Sequence, residues 1–220
     1  MDAVCSAGAL GTRARRATGC TRGFALIEMI VVVTIILILA AILLPVLEAA
    51  LGSGERTSCL SNLHHLGMAV ALYADDHDDQ IVPAMLPCPP TGGICWDVTL
   101  QPYLRNRLIL LCPTDESPRQ APGTICEPHS YGINLALAQV GGYMSSSLCL
   151  CQIERPAQTV LWCELNGARY ATHGVDYDAD GLEKVATSRH GTGANYGFVD
   201  GHTKWLQPER TVDPDNLWRP

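Results

Sequence analysis

Nineteen consecutive residues without a charge, residues 29–47, constrain this chain more than any other stretch. As a helix rising about 1.5 Å per residue, the run would span about 28 Å, close to the roughly 30 Å hydrocarbon core of a bilayer. Thr34 alone interrupts its apolar surface. A helix buried in a soluble core is the alternative, but such a helix usually keeps a polar face. The sequence therefore predicts a transmembrane helix over residues 24–47.

The flanks of this run predict its orientation and its processing. Four arginines precede it and favour retention of the N-terminus in the cytoplasm: Arg13, Arg15, Arg16 and Arg22. The small-residue junction flanked by charge, Gly23 and Phe24, lies before the run and not after it. Cleavage there would remove residues 1–23 as a leader and leave the helix attached. Glu28 lies at a depth where a carboxylate is costly, and a cation such as the α-amino group of a neighbouring subunit's Phe24 would compensate it.

The stretch Gly23-Phe24-Ala25-Leu26-Ile27-Glu28, followed by a Leu-rich and β-branched run, resembles the processing and methylation segment of type IV prepilins and type II secretion pseudopilins. In that family a membrane peptidase cuts after the glycine and methylates the new N-terminal phenylalanine, and the glutamate is needed for subunit recruitment. The resemblance implies processing at Gly23 and Phe24 and an assembly role for Glu28. Ala25 departs from the family pattern, where threonine is usual.

Residues 48–74 are predicted to continue the helix, with a flexible joint at residues 52–54, where two glycines each cost about 1 kcal/mol relative to alanine. Beyond the joint, apolar residues recur at spacings of four, three, four and three and predict one buried stripe: Cys59, Leu63, Leu66, Val70 and Tyr73. Residues 75–220 are predicted to form a globular domain with a buried strand at residues 159–163. The expected fold class is α+β, with a long N-terminal helix packed on a small antiparallel sheet in a pilin-like arrangement.

The end of the chain predicts a β-hairpin. Residues 196–199 and 202–206 alternate like two short strands, and Asp200-Gly201 between them favours a type I′ turn. His190 stands ten residues before Asp200, and the spacing resembles the His, nine residues, Asp-Gly signature of a C-terminal domain attached to many pilin-like proteins. From the residues, His190 is expected to tie the incoming loop to the hairpin.

Eight cysteines follow the leader, an even number that suits disulfides in an oxidising compartment. The candidate bridges are Cys88 with Cys95, across a short loop, and Cys59 with Cys112, which would join the helix to the sheet domain. Zinc bound by Cys149, Cys151 and Cys163 is the alternative, although the chain lacks a second half-site of the usual spacing.

An acidic segment carries the strongest metal signal. Asp176, Asp178 and Asp180, followed by Gly181, match the first half of a calcium loop, in which glycine permits a sharp turn. Thr187 stands where such a loop has its final glutamate, so Glu183 or a backbone oxygen would complete the shell. An acidic loop without metal is the alternative.

Charge and motifs limit the functional class. Removing the leader takes away four arginines and one aspartate, so the formal charge of −7 becomes −10, which argues against nucleic-acid binding. The sequence has no Gly-x-Ser-x-Gly motif, and we expect no enzymatic activity. The predicted function is a structural subunit of a type II secretion pseudopilus or type IV pilus-like filament. Its expected partners are prepilin peptidase, other pilin subunits and an inner-membrane assembly platform. The alternative is a membrane-anchored periplasmic enzyme or ligand-binding domain.

Overall fold

The computed structural model describes residues 26–87, 93–116, 125–139, 146–166, 174–175, 177, 181–212 and 214–220. The chain divides into two compact units, one that runs to Val46 and one that begins at Leu47. The long helix α1, Leu26–Asp76, contributes residues to both.

In the first unit the large apolar side chains of α1 are exposed. From Leu26 to Val46 they keep between 48% and 78% of their accessible surface. The helix is long and apolar enough, by length and composition, to cross a membrane. The hydroxyl group of Thr34 donates to the carbonyl oxygens of Ile30 and Val31, at 3.0 and 2.9 Å. This polar group is therefore satisfied within the helix and presents no unpaired donor to lipid.

In the second unit α1 packs against the globular domain. The five residues of the predicted stripe are buried, and Gly67, Ala69 and Ala74 are buried with them. The predicted joint at residues 52–54 is wrong, because α1 stays helical through this segment. Gly52 and Gly54 have open space around their backbone. The small cost of each glycine does not interrupt a helix that continues on both sides.

A five-stranded sheet forms the centre of the second unit. Its strands are β3 (Tyr131–Asn134), β4 (Val160–Glu164), β5 (Gly174–Val175), β6 (Ala194–Phe198) and β7 (Thr203–Leu206), and their order is β5-β3-β4-β6-β7. Neighbouring strands are antiparallel, except for β3 and β5, which are parallel. A separate antiparallel pair joins β1 (Met85–Leu86) to β2 (Ile94–Cys95), which leads into the short helix α2 (Trp96–Thr99). The α+β class and the helix-on-sheet packing are as predicted.

The predicted hairpin is present, but its predicted turn type is wrong. β6 and β7 pair with Gly197 opposite Thr203, and the amide of Gly201 donates to the carbonyl oxygen of Phe198 at 2.9 Å. Gly201 has a φ of +87°, whereas Asp200 is not among the residues with positive φ. The loop is thus a three-residue connection in which Gly201 takes the left-handed conformation. The Asp200 carboxylate stabilises it by accepting from the amide of His202 at 3.1 Å.

Candidate functional site

A buried carboxylate and imidazole lie in the core of the second unit. Glu164 ends β4 and His190 lies in the loop before β6. Nε2 of His190 is 2.8 Å from Oε1 of Glu164, and both side chains are almost completely buried. The carboxylate also accepts from the backbone amide of Asn195 at 2.9 Å and from its side-chain amide at 3.2 Å. Three donors around one carboxylate fix its position in β4.

The same imidazole nitrogen faces a sulfur. Sγ of Cys112 is 3.5 Å from Nε2 of His190 and 3.7 Å from Oε1 of Glu164. In a Cys-His-acid catalytic arrangement the nucleophile and the acid would engage opposite nitrogens of the ring. Here both lie at Nε2, and the sulfur of Cys112 is joined to Cys59. This geometry is not that of an activated thiol.

His190 also reaches the hairpin, as the sequence predicted, although through its backbone. The indole nitrogen of Trp205 in β7 donates to the carbonyl oxygen of His190 at 3.1 Å. The adjacent Arg189 forms a buried ion pair with Asp115 at 3.2 Å. Residues 189–190 therefore hold together the segment of Cys112 and Asp115, the end of β4 and the hairpin.

The hairpin turn lies directly against α1. Nδ1 of His64 is 2.8 Å from the carbonyl oxygen of Gly201. A side chain at Gly67 would place its Cβ only 3.2 Å from the Cα of Gly201, so the turn would have to shift by a few tenths of an ångström to admit it. Asp200 and Gly201 thus shape the turn that docks on the helix.

Disulfides connect these elements. The structure joins Cys59 of α1 to Cys112, as the sequence predicted, with Cα atoms 5.4 Å apart. The predicted bridge from Cys88 to Cys95 is wrong, because Cys95 is joined to Cys126. Residues 125–126 run beside β2, where the amide of Cys95 donates to the carbonyl oxygen of Ile125 at 3.0 Å, and this pairing brings Cys126 to Cys95. Cys88 lies outside the described residues.

The sequence offered a zinc alternative and a predicted calcium loop, and only the residues of the first lie wholly in the described part of the chain, so the calcium loop stays a prediction. Cys149 is joined to Cys151, and Cys163 lies in β4 with its sulfur 3.7 Å from the carbonyl oxygen of Gly132. Asp176, Asp178 and Asp180 lie outside the described residues, and Glu183 is exposed.

Two residues that matter here escaped the sequence prediction. Glu164 was signalled only by its place, an acid at the end of the apolar run 159–163, where a buried charge calls for a partner. Cys126 had no local signal, since its partner is 31 residues away.

Asp97 in α2 makes the stability of the domain depend on pH. Its side chain is fully buried, and burial raises its pKa to about 6, although the amide of Glu127 donates to it. The folded state therefore favours the protonated form. The resulting stabilisation is complete below about pH 4 and is lost as the pH rises through about 6.

Asp97→Asn is expected to remove this dependence, since an amide is neutral at every pH. Relative to the wild type, the variant should gain about 2 kcal/mol of unfolding free energy between pH 4 and pH 7. Urea unfolding of the full chain in detergent, at several pH values, measures the difference. Parallel pH profiles for the two proteins would contradict this role of Asp97.

The N-terminal segment is the second candidate site. Gly23 and Phe24 lie outside the described residues, and Glu28 lies exposed in the first turn of α1. A family model described as "Prokaryotic N-terminal methylation motif" matches residues 20–44. No curated protein and no solved structure matches the chain.

This match spans the junction, Glu28 and the exposed part of α1. It supports a prepilin-like protein of the type IV pilin and pseudopilin class. With one long apolar helix near the N-terminus, it indicates a single-pass membrane anchor.

Proposed function

We propose that the chain is a structural subunit of a type II secretion pseudopilus or a type IV pilus-like filament, processed by prepilin peptidase. The observation that carries the proposal is the methylation motif at residues 20–44 on a helix whose apolar side chains are exposed. Such a surface must be covered by lipid or by protein. In the membrane, lipid would cover it, and in a filament the helices of other subunits would.

The N-terminal arginines favour an orientation with the leader in the cytoplasm, and the globular domain would then lie on the far side of the inner membrane. There, disulfides such as Cys59 with Cys112 suit an oxidising space. The partners would be prepilin peptidase, other pilin subunits and an inner-membrane assembly platform. The role is structural and not catalytic.

The resemblance of residues 190–201 to the C-terminal signature of pilin-like proteins also has a physical basis in this proposal. His190 fixes a loop to β4 through Glu164, and Gly201 gives the turn that docks on α1. The signature would then describe how the globular domain is attached to its helix.

Glu28→Ala is expected to be cleaved and inserted like the wild type but to enter filaments at least tenfold less. A carboxylate near the membrane interior is costly unless a cation meets it, so among the processed subunits in the membrane it favours association with a neighbour whose Phe24 α-amino group supplies one. Cross-linking of subunits in membranes, followed by quantification of the filament fraction, measures the effect.

Glu48→Ala is the matched control, because Glu48 is another exposed acid of α1 but lies beyond the apolar run. It should assemble normally. Efficient incorporation of Glu28→Ala, or an equal defect in both variants, would defeat the assembly role of Glu28.

Calcium binding by Asp176, Asp178 and Asp180, with Glu183, remains part of the proposal. Three carboxylates within five residues repel one another, and a divalent ion would cancel that repulsion. Thermal melting of the full chain in detergent should show stabilisation by calcium of about 2.7 kcal/mol at a hundredfold excess over the dissociation constant. Asp178→Ala should abolish the shift, and equal melting temperatures of the wild type with calcium and with chelator would refute the site.

A further inference from the structure

Four metal-ligating side chains from four parts of the second unit converge on one buried point. Cys59 comes from α1, Cys112 from the loop before β3, Glu164 from β4 and His190 from the loop before β6. Their ligand atoms all lie within 4.8 Å of one another, and all four residues are buried. A disulfide between Cys59 and Cys112 gives no reason for a buried carboxylate and imidazole to face the sulfur of Cys112, and burying both is costly.

The distances between the donor atoms resemble those of a tetrahedral zinc site. With Zn–N and Zn–O distances near 2.0 Å and Zn–S near 2.3 Å, the ligand atoms of such a site are separated by roughly 3.3–3.8 Å. Sγ of Cys112 lies 3.5 Å from Nε2 of His190 and 3.7 Å from Oε1 of Glu164. The 2.8 Å between Nε2 and Oε1 would have to widen by roughly half an ångström, and the two sulfurs would separate on reduction.

The surroundings meet two further requirements of a metal site. The Glu164 carboxylate is oriented by the two Asn195 donors, as outer-shell groups orient metal ligands. A cleft of about 330 Å³, lined in part by Arg56, Thr114 and Arg189, borders His190, and an ion would enter from it by a movement of the His190 side chain, which is 2% exposed.

We propose that the reduced chain binds one zinc ion through Cys59, Cys112, His190 and Glu164, and that formation of the Cys59–Cys112 disulfide expels it. Two thiolates, an imidazole and one carboxylate oxygen form a donor set suited to zinc, and the thiolates disfavour calcium and magnesium. The site would hold the helix, the sheet and the two loops together before oxidation, and the disulfide does so afterwards.

Oxidation of Cys59 and Cys112 to a disulfide requires a two-electron oxidant, and a protein disulfide can serve as one. Zinc binding releases the two thiol protons. One thiolate then attacks a sulfur of the oxidant and forms a mixed disulfide, and the other thiolate displaces the oxidant's second thiolate. Two electrons pass from the Cys59 and Cys112 sulfurs to the oxidant, which leaves as a dithiol after taking up two protons, and the zinc ion dissociates.

The test uses the full chain in detergent, reduced with a phosphine under anaerobic conditions and titrated with zinc or cobalt. We expect one zinc per reduced chain, a thiolate-to-cobalt charge-transfer band, and X-ray absorption from zinc with two sulfur and two lighter neighbours. Air-oxidised chain should bind none at this site. A zinc ion with four sulfur neighbours or with no sulfur neighbour would overturn the proposal. A reduced chain that binds no zinc would also overturn it.

Single substitutions test which residues bind the zinc ion. Cys59→Ser and His190→Gln should each weaken zinc binding by about tenfold or more. Cys95→Ser is the matched control, since Cys95 and Cys126 form a second buried group with Asp97, and it should leave the affinity unchanged. Equal zinc affinity in all three variants would place the zinc elsewhere and overturn the assignment. Where a variant fails to fold, the X-ray absorption spectrum of the wild type still shows whether two sulfurs and two lighter atoms bind the zinc.

Discussion

Gly23→Val is expected to accumulate entirely as precursor. A peptidase that cuts after Gly23 must bring its catalytic groups close to the backbone there, and a β-branched side chain would obstruct that approach and exclude the backbone conformations that glycine alone adopts readily. The uncleaved chain keeps its 23-residue leader, so gel electrophoresis of membrane extracts resolves the precursor from the mature form.

Gly19→Val is the matched control, because Gly19 lies in the same leader four residues before the proposed cut. It should be processed like the wild type. Normal maturation of Gly23→Val would remove the main support for the processing site, while a block in both variants would point to a general effect on the leader.

His190→Ala is expected to cost the oxidised chain about 3–5 kcal/mol, because it leaves the fully buried carboxylate of Glu164 without the imidazole that contacts it. For a domain of this size each kcal/mol shifts the melting temperature by roughly 2–4 °C. A decrease of about 6–20 °C should therefore be visible by tryptophan fluorescence of the full chain in detergent.

Two further variants separate this effect from the loss of any histidine. His64→Ala removes one contact to Gly201 from an exposed position and should cost about 1 kcal/mol or less. Adding Glu164→Gln to His190→Ala should restore part of the stability, because the buried charge is then gone. A His190→Ala variant as stable as His64→Ala would contradict the role assigned to the buried pair.

The features that were predicted correctly are determined by residues that lie close together in the sequence. The apolar run gave the exposed half of α1, the spacing from Cys59 to Tyr73 gave its buried face, and the apolar segment 159–163 corresponds to β4 at Val160–Glu164. The first and third signals are unbroken apolar runs and the second repeats with the period of a helix, so a short window contains the whole of each signal.

The features that were missed depend on residues distant in sequence. Cys126 meets Cys95 only because residues 125–126 run beside β2, and Glu164 meets His190 only after β4 and β6 have paired. The hairpin turn is an intermediate case. Asp-Gly is compatible with both a two-residue and a three-residue loop, and the docking of Gly201 on α1 accompanies the longer one.

The central claim is that this chain is a processed, prepilin-like subunit, and the N-terminus of the mature protein tests it most directly. Mass spectrometry of the protein extracted from membranes should find a chain that begins at Phe24 and carries a methyl group on its α-amino nitrogen. A chain that retains residues 1–23, or one cut beyond the apolar run so that the helix is lost, would contradict the account.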